Sequence, residues 1–264
     1  VMLDHPGMVG AVHRDYFDAG ATIATTNTYA IHHDRFTGTE LEGKTDTLLA
    51  AALSEAERAA AGRRGARIAG SIGPLVATYR PETHPAYDVA VPLYAEIAKA
   101  LAPHVDLILV ETIASALHAK AALDGARSAG KPVWLSVTLD DEDGRLMRSG
   151  EPLDALLGLD PDVWLANCSA PEAMTQAMPG LKALGKPFGA YANGFTQITK
   201  DFLKAKPTAD ALHAREDMTP QRYADFVMSW VDQGATIVGG CCETGPEHIK
   251  AIANRLRAGG HTIV

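Results

Sequence analysis

Short apolar runs alternate with longer helical patterns along the chain, and this alternation constrains the fold more than any other feature. Seven runs rich in β-branched and apolar residues predict strands: ATIATT (21–26), ARIAGSI (66–72), VDLILVE (105–111), VWLSVTL (133–139), DVWLANC (162–168), FGAYA (188–192) and ATIVGG (235–240). Amphipathic, alanine-rich segments predict helices near residues 46–62, 88–102, 115–128, 171–184, 219–233 and 246–257. Such alternation is typical of a parallel sheet built from βαβ units.

The connections between these elements differ in length at the two ends of the strands. Helix-to-strand connections are short and contain glycine, as in DAGA (18–21) and SAGKP (128–132). Glycine suits the left-handed position that ends a helix. Strand-to-helix connections are long, as in GPLVATYRPETHPAYD (73–88). Long loops therefore gather at the carboxyl ends of the strands, where (βα)₈ barrels build their active sites.

These patterns predict an α/β fold of the (βα)₈ TIM-barrel type. The length of 264 residues fits one barrel domain over residues 1–264. The segment PGMVGAVHRDYFDAG (6–20) predicts a helix before any strand, whereas the barrel alternation begins with a strand. We therefore expect the first strand to be missing from the sequence as given. The alternative is an open doubly wound sheet, but no GxGxxG or GxxxxGK[ST] phosphate loop follows a strand.

Charge and hydropathy narrow the class of partner. The formal net charge is -8 and no basic block occurs, which argues against nucleic-acid binding and against a polybasic membrane surface. No apolar run approaches the roughly 20 residues that span a bilayer. The first residues, VMLDHPG, lack the features of a signal peptide. We expect a cytoplasmic protein that acts on small molecules, and the sequence leaves its oligomeric state open.

Three cysteines stand at predicted strand ends. Cys168 ends one strand, and Cys241 and Cys242 end another directly after Gly239 and Gly240. Two adjacent thiols can reach one ion only where the strand gives way to a turn, which the glycines would permit. Zinc accepts thiolates and keeps one position open in catalytic sites. Buried cysteines also act as small hydrophobes, and a redox pair is a third option, but the common position of all three favours a metal site.

Longer segments around these cysteines resemble the homocysteine S-methyltransferase family. VGGCCETGPEHIKAI resembles its C-terminal signature, and NCSAPEAM resembles its upstream cysteine motif. AVHRDYFDAGATIATTNTYA, AGSIGP, LILVETI and YANG resemble family landmarks in the expected order. The resemblance implies a zinc-dependent (βα)₈ barrel in which Cys168, Cys241 and Cys242 bind Zn²⁺ and the sulfur of homocysteine takes the fourth position. The Asp-Gly-Gly motif that the family carries on its first strand is absent here.

The resemblance also suggests residues that bind the substrate. Glu111, in VETI at the end of a predicted strand, matches the acidic residue that holds the amino group of homocysteine. The alternative for such a carboxylate is a partner for a helix N-terminus. Asn167 and Asn193 are weaker candidates for polar contacts with the substrate, because either side chain could satisfy loop backbone groups instead.

Two further features carry weaker signals. Tyr29, Tyr79 and Trp164 could form an aromatic cage around a cationic donor, although packing in the core or at the rim is the ordinary role of such residues. The acidic run DDED (140–143), followed by glycine, predicts an exposed turn, since it lacks the spacing of a calcium loop.

Together these expectations define a reaction. We expect zinc-dependent transfer of a methyl group from a sulfonium donor, S-methylmethionine or S-adenosylmethionine, to homocysteine, which gives methionine. The zinc-bound thiolate of homocysteine is the nucleophile, and we expect no protein side chain to act as a catalytic residue. A betaine-type donor is an alternative, and methyltetrahydrofolate through a corrinoid is less favoured. The rival classes are a barrel hydrolase with zinc-activated water and a non-catalytic zinc-binding module.

Overall fold

The protein folds around a parallel β-sheet. Its structure is a computed structural model that describes residues 1–196 and 212–264. The strands in this part of the chain are β1 (Ile23–Thr25), β2 (Arg67–Ile72), β3 (Leu107–Ile113), β4 (Val133–Val137), β5 (Val163–Asn167), β6 (Phe188–Tyr191) and β7 (Ile237–Val238). They lie side by side in chain order, and every pair is parallel. All seven predicted strands are confirmed, most of them shorter than the sequence pattern indicated.

Helices follow the strands as the sequence predicts. They are α1 (Met8–Ala19), α2 (His33–Phe36), α3 (Thr45–Ala60), α4 (Tyr87–Leu101), α5 (Ala116–Ala126), α6 (Pro171–Ala183), α7 (Pro220–Asp232) and α8 (Pro246–Ala258). Among these α-helices of the described residues, the short α2, inside the loop after β1, was not predicted. Gly20 ends α1 with a φ of 113°, the left-handed conformation expected for its connection. No helix in the described ranges has both the length and the apolar character that crossing a membrane requires.

The sheet curls so that its two faces have different partners. Alternate strand residues point to opposite faces. On the outer face, residues such as Ile108, Val110 and Trp164 pack against the surrounding helices. On the inner face, Leu109 and Leu165 belong to a smaller apolar cluster that contains side chains from several strands. The architecture is an α/β half-barrel, consistent with a TIM-like barrel.

The half-barrel is open between its first and last strands. Within residues 1–196 and 212–264, β1 pairs only with β2 and β7 pairs only with β6. Inner-face residues beside this gap are more accessible than those opposite it: Thr25 is exposed and Ile23 and Ile237 are half-buried, whereas Leu109 and Leu165 are buried. That a first strand is missing stays a prediction.

Helix α1 precedes the sheet and is fixed at both ends. The buried carboxylate of Glu55 in α3 accepts hydrogen bonds from the backbone N–H of Gly7, at 2.5 Å, and from that of Gly10, at 2.6 Å. The N–H group of Gly7 contributes most to lowering the pKa of Glu55. Near the other end, the Tyr16 hydroxyl donates to the Thr244 carbonyl at 2.6 Å. Helix α1 therefore supports the loop that follows β7.

Because all strands are parallel, the long strand-to-helix loops lie at one edge of the sheet, as predicted. The loop after β4 has some structure of its own, since Leu139 bridges to Met147 and Leu146 bridges to Pro152 in antiparallel fashion. This edge, the carboxyl rim, carries the three cysteines and the candidate substrate-binding residues Glu111, Asn167 and Asn193.

Candidate metal centre

The three cysteines meet at the carboxyl rim. Cys168 directly follows β5, and Cys241 and Cys242 follow β7 after two glycines. The sulfur of Cys242 lies 3.8 Å from that of Cys168 and 3.9 Å from that of Cys241. All three sulfurs lie within 4.8 Å of one another, and no other set of three or more His, Cys, Asp or Glu side chains comes so close in the described part of the chain. The convergence that the sequence predicted is confirmed.

The sulfur spacing fits a thiolate-bound metal. Tetrahedral zinc with Zn–S distances of about 2.3 Å requires sulfurs roughly 3.8 Å apart. The two measured separations, 3.8 and 3.9 Å, match this edge length. All three thiols are free, so none is used in a disulfide. A three-sulfur set leaves the fourth tetrahedral position for an external ligand, and soft thiolates suit zinc better than they suit magnesium or calcium.

Cys168 adopts an unusual backbone conformation. Its φ of 56° lies in the left-handed region, which is uncommon for a residue with a side chain. Its N–H group still bonds to the Tyr191 carbonyl at 3.3 Å, continuing the pairing with β6. The strand was predicted to include Cys168, but it ends one residue earlier, at Asn167. The left-handed turn releases Cys168 from the strand's alternation.

The glycine pair acts differently from the prediction. Neither Gly239 nor Gly240 has a positive φ; the left-handed residue in this loop is Glu243, with φ 61°. Gly240 is required for space, because a Cβ there would lie 2.1 Å from Thr244 Oγ1. That hydroxyl donates to the Cys241 carbonyl at 2.6 Å. At Gly239 a Cβ would meet its nearest neighbour at an ordinary 3.5 Å.

The three thiols are not equivalent. Cys168 is buried, Cys241 is half-buried and Cys242 is exposed. Hydrogen bonds from Cys168, the larger contribution, and from Cys241 lower the pKa of the Cys242 thiol to about 3. Hydrogen bonds with Cys168 and then with Cys242, together with burial, raise the pKa of Cys241. In the metal-free cluster Cys242 therefore ionises before Cys241, and a metal would displace the thiol protons that remain.

Glu111 lies on the same rim, beside the sulfur cluster. The register of β3 with β4 shifts between Val110 and Ile113, and such bulges re-aim side chains next to active sites. One carboxylate oxygen of Glu111 accepts from Ser71 Oγ and the other accepts from the Tyr191 hydroxyl at 2.9 Å. Burial raises the pKa of Glu111. The hydrogen bonds from Ser71 and Tyr191 offset part of this increase, and the charge of Cys242 adds to it.

Asn167 and Asn193 are both buried and both hold local structure. The side-chain oxygen of Asn167 accepts from the N–H of Thr112 at 2.8 Å, and its amide nitrogen donates to Thr112 Oγ1 at 2.8 Å. Since Thr112 has a φ of 62° and follows Glu111, Asn167 braces the bulge that carries this carboxylate. The side-chain oxygen of Asn193 accepts from the Phe195 N–H at 3.2 Å.

The aromatic candidates separate into rim and core. The Tyr79 hydroxyl donates to the Cys168 carbonyl at 3.3 Å, and its ring packs against Cys168. The Tyr29 hydroxyl lies 2.9 Å from Thr78 Oγ1 on the rim. Trp164 is fully buried on the outer face of the sheet, so it belongs to the core rather than to the site.

Sequence reasoning missed an ion pair behind Tyr79. The acidic run was expected to form an exposed turn, but the side chain of Asp141 is only 9% exposed and pairs with Arg148, which is 12% exposed. Both terminal guanidinium nitrogens of Arg148 lie 3.2 Å from Asp141 Oδ2. The acidic run by itself did not predict this burial, because the partner of Asp141, Arg148, lies seven residues further along the chain.

Gly240 has no room for a Cβ atom, whereas Gly239 has. Gly240→Ala should lower the free energy of unfolding by about 1–3 kcal/mol, the usual cost of overpacking, because its methyl group displaces Thr244. The matched control Gly239→Ala should change it by less than about 1 kcal/mol. Urea unfolding of the metal-free variants measures both values. Equal stabilities would show that Thr244 does not constrain this loop.

Comparisons with known proteins agree with this geometry. A model of the homocysteine S-methyltransferase family matches residues 1–256. The chain is 29% identical over 265 residues to methionine synthase from Mycobacterium tuberculosis, a match that covers 94% of this chain but 21% of that protein. The chain thus spans about a fifth of the length of this relative.

Solved structures that share the fold include two that superpose well on this chain. Both are of the homocysteine methyltransferase MmuM from Escherichia coli, one in a metallated form and one in an oxidized form. Each superposes with a TM-score of 0.78 and covers 97% of this chain and 86% of that chain, at identities of 24% and 25% respectively. The match of the family model over nearly the whole chain, together with the three converging cysteines, shows that this chain belongs to the homocysteine S-methyltransferase family.

Proposed function

We propose that this chain transfers a methyl group to the thiol of homocysteine, giving methionine, at a zinc centre held by Cys168, Cys241 and Cys242. The observation that carries the proposal is the spacing of three sulfurs, 3.8 and 3.9 Å for the two measured pairs, which suits one thiophilic ion and leaves one position open. Structural zinc sites usually close with a fourth protein ligand. No fourth metal-ligating side chain joins the cluster among residues 1–196 and 212–264.

The zinc and its ligands serve to activate the acceptor. A bound zinc ion would supply the Lewis acidity that keeps a coordinated thiol ionised near neutral pH. Cys168, Cys241 and Cys242 would hold the ion as thiolates, and their combined charge would exceed that of a divalent cation. This excess negative charge keeps the acceptor sulfur electron-rich, so attack on a methyl group needs no protein base. Thiols that stay free suit the reducing cytoplasm, where we place this activity.

Glu111 is proposed to bind the ammonium group of homocysteine. Its carboxylate is fixed by Ser71 and Tyr191, and each oxygen keeps lone pairs for a further donor. An ammonium ion would offset the burial that otherwise disfavours the ionised carboxylate. Asn167 and Asn193 stay weaker predictions as direct substrate contacts. Their hydrogen bonds support a positioning role, for Asn167 through the bulge that aims Glu111.

For the donor we propose a sulfonium compound, S-methylmethionine or S-adenosylmethionine. The support is electrostatic: a site with excess negative charge attracts a cation, and a sulfonium leaves as a neutral thioether after losing its methyl group. A betaine-type donor satisfies the same charge argument and is the alternative. Aromatic caging finds less support, because the Arg148 guanidinium already lies 5.3 Å from the Tyr79 ring centroid.

We also propose that a further strand between β1 and β7 completes an eight-stranded barrel as a single domain. Support comes from the accessibility of Ile23, Thr25 and Ile237, inner-face residues that a strand in this gap would cover. Apolar residues facing the interior of a barrel are ordinarily buried by neighbouring strands.

The direct test is an assay of the zinc-loaded protein with homocysteine and each of four donors: S-methylmethionine, S-adenosylmethionine, betaine and methylcobalamin. We expect methionine, detected by mass spectrometry, with a sulfonium donor. Cys241→Ser should abolish turnover and weaken zinc binding by more than the roughly 10–100-fold that loss of an outer-shell partner costs. Gly239→Ala, in the same loop, serves as the control.

The outcomes separate the two parts of this proposal. Stoichiometric zinc without methionine from any donor would contradict methyl transfer and leave the metal centre standing. Full retention of zinc by Cys241→Ser would contradict the ligand assignment. If only betaine or only methylcobalamin yields methionine, the donor is that compound and not a sulfonium compound.

The role of Glu111 gives a separate prediction. Glu111→Gln should raise KM for homocysteine by about 10- to 100-fold, because it removes a charge-assisted hydrogen bond to the ammonium group. Zinc content should not change, since Glu111 is not a ligand. The control Glu96→Gln alters an exposed carboxylate that pairs with His33 on the outside of the barrel. An unchanged KM for Glu111→Gln would rule out the assignment.

A further inference from the structure

Tyr79 packs beside Cys168, the buried cysteine of the sulfur cluster. It is 6% exposed and forms an apolar cluster with Cys168, and the half-buried Cys241 packs against this cluster. Its hydroxyl donates to the Cys168 carbonyl at 3.3 Å. Both partners in this bond have left-handed backbones, with φ 62° for Tyr79 and φ 56° for Cys168. Such conformations persist only where the surroundings hold them in place.

Arg148 lies behind Tyr79. Its guanidinium carbon is 5.3 Å from the centre of the tyrosine ring, within cation–π distance. Both terminal nitrogens of this guanidinium lie 3.2 Å from Asp141 Oδ2. The backbone N–H of Arg148 donates to the Thr138 carbonyl at 3.0 Å. The backbone and the guanidinium of Arg148 are thus both held by hydrogen bonds, which places the guanidinium against the tyrosine ring.

Asp141 connects this pair to the cysteine segment by a second route. Its other carboxylate oxygen accepts from the backbone N–H of Ala170 at 3.2 Å. Ala170 lies two residues after Cys168, at the start of α6. Cys168 is therefore held through its carbonyl by Tyr79 and through its following residues by Asp141, and Arg148 contacts both of these side chains.

We propose that Arg148 is a positioning residue for the metal centre: it holds Tyr79 and Asp141 together and so fixes the backbone that aims the sulfur of Cys168. The inference rests on the zinc centre proposed above. Arginine suits the task because its planar fork stacks on an aromatic ring and reaches a carboxylate with two nitrogens at once. Lysine offers a point charge and can do only part of this.

The same loop contains a natural control. Arg145 also binds an aspartate through two nitrogens, Nε at 2.7 Å and Nη2 at 2.8 Å from the carboxylate of Asp143. Its side chain is 76% exposed. Both are Arg–Asp pairs in one loop, so comparing them separates the effect of the buried pair and its contacts from the effect of removing an ion pair from this loop.

The test uses two matched double variants of the full chain. Arg148→Met with Asp141→Asn removes the inner pair without leaving an unpaired charge, and asparagine keeps an oxygen for the Ala170 N–H. Arg145→Met with Asp143→Asn removes the outer pair. Zinc affinity is measured by chelator competition, cobalt substitution reports thiolate charge-transfer absorption, and hydrogen exchange of the metal-free chains reports peptides that contain Tyr79 or Cys168.

For the inner pair we expect zinc affinity to fall by about 10- to 100-fold, as for other partners that orient metal ligands. The cobalt absorption should change in shape, and the Tyr79 and Cys168 peptides should exchange faster. Arg148→Lys should give an intermediate effect. The outer pair should match the unaltered protein in every measurement.

The outcomes distinguish this proposal from the proposed function. If the unaltered protein binds no zinc, the proposed function fails, and hydrogen exchange still decides the positioning role. Unchanged affinity and unchanged exchange in the inner-pair variant would overturn that role. Equal weakening in both double variants would also overturn it, because the effect would then belong to the loop as a whole.

Discussion

The site depends on the approach of three sulfur atoms that come from distant parts of the chain. Parallel pairing makes this possible, because the segments after β5 and β7 emerge at the same edge with only β6 between them. Close pairing of β6 with β7 requires Gly189, where a Cβ would lie 1.7 Å from the Ile237 carbonyl oxygen. The thiols then meet without a disulfide, and mutual hydrogen bonding makes one of them unusually acidic.

Polar groups around the sulfurs form a layer above the apolar interior of the half-barrel. Glu111 is re-aimed by a bulge in β3, and Asn167 braces that bulge from β5. Cys168, within the site, and Thr112, next to Glu111, both have left-handed backbones. Strained conformations of this kind are tolerated where neighbouring contacts over-determine them, and they cluster at functional sites. The contacts of the carboxyl rim thus hold the residues around the sulfur cluster in place.

The sequence predicted what local patterns encode. Strands and helices follow from apolar periodicity, and the convergence of Cys168 with Cys241 and Cys242 follows from their place at the ends of parallel strands. The resemblance to a family supplied the prediction that Glu111 binds the substrate, which stays a prediction. The missed features depend on contacts between residues far apart in sequence or on exact dihedral angles. The left-handed turn at Cys168 and the steric need for Gly240 belong to this class.

The burial of Asp141 shows the same limit from the opposite direction. The acidic run DDED (140–143) indicates solvent exposure, but Asp141 within it forms an ion pair with Arg148. Only the fold reveals that the loop after β4 turns this side chain toward α6. A charge pattern describes the average environment of a segment, whereas a single contact decides the environment of one residue.

We propose that three protein thiolates hold one ion and leave a fourth position for a substrate thiol. X-ray absorption spectroscopy of the zinc-loaded protein, with and without L-selenohomocysteine, tests this most directly. We expect three sulfurs at about 2.3 Å and one lighter atom before addition, and three sulfurs with one selenium afterwards. A zinc shell that already contains four protein ligands, or one that gains no selenium, would contradict the account.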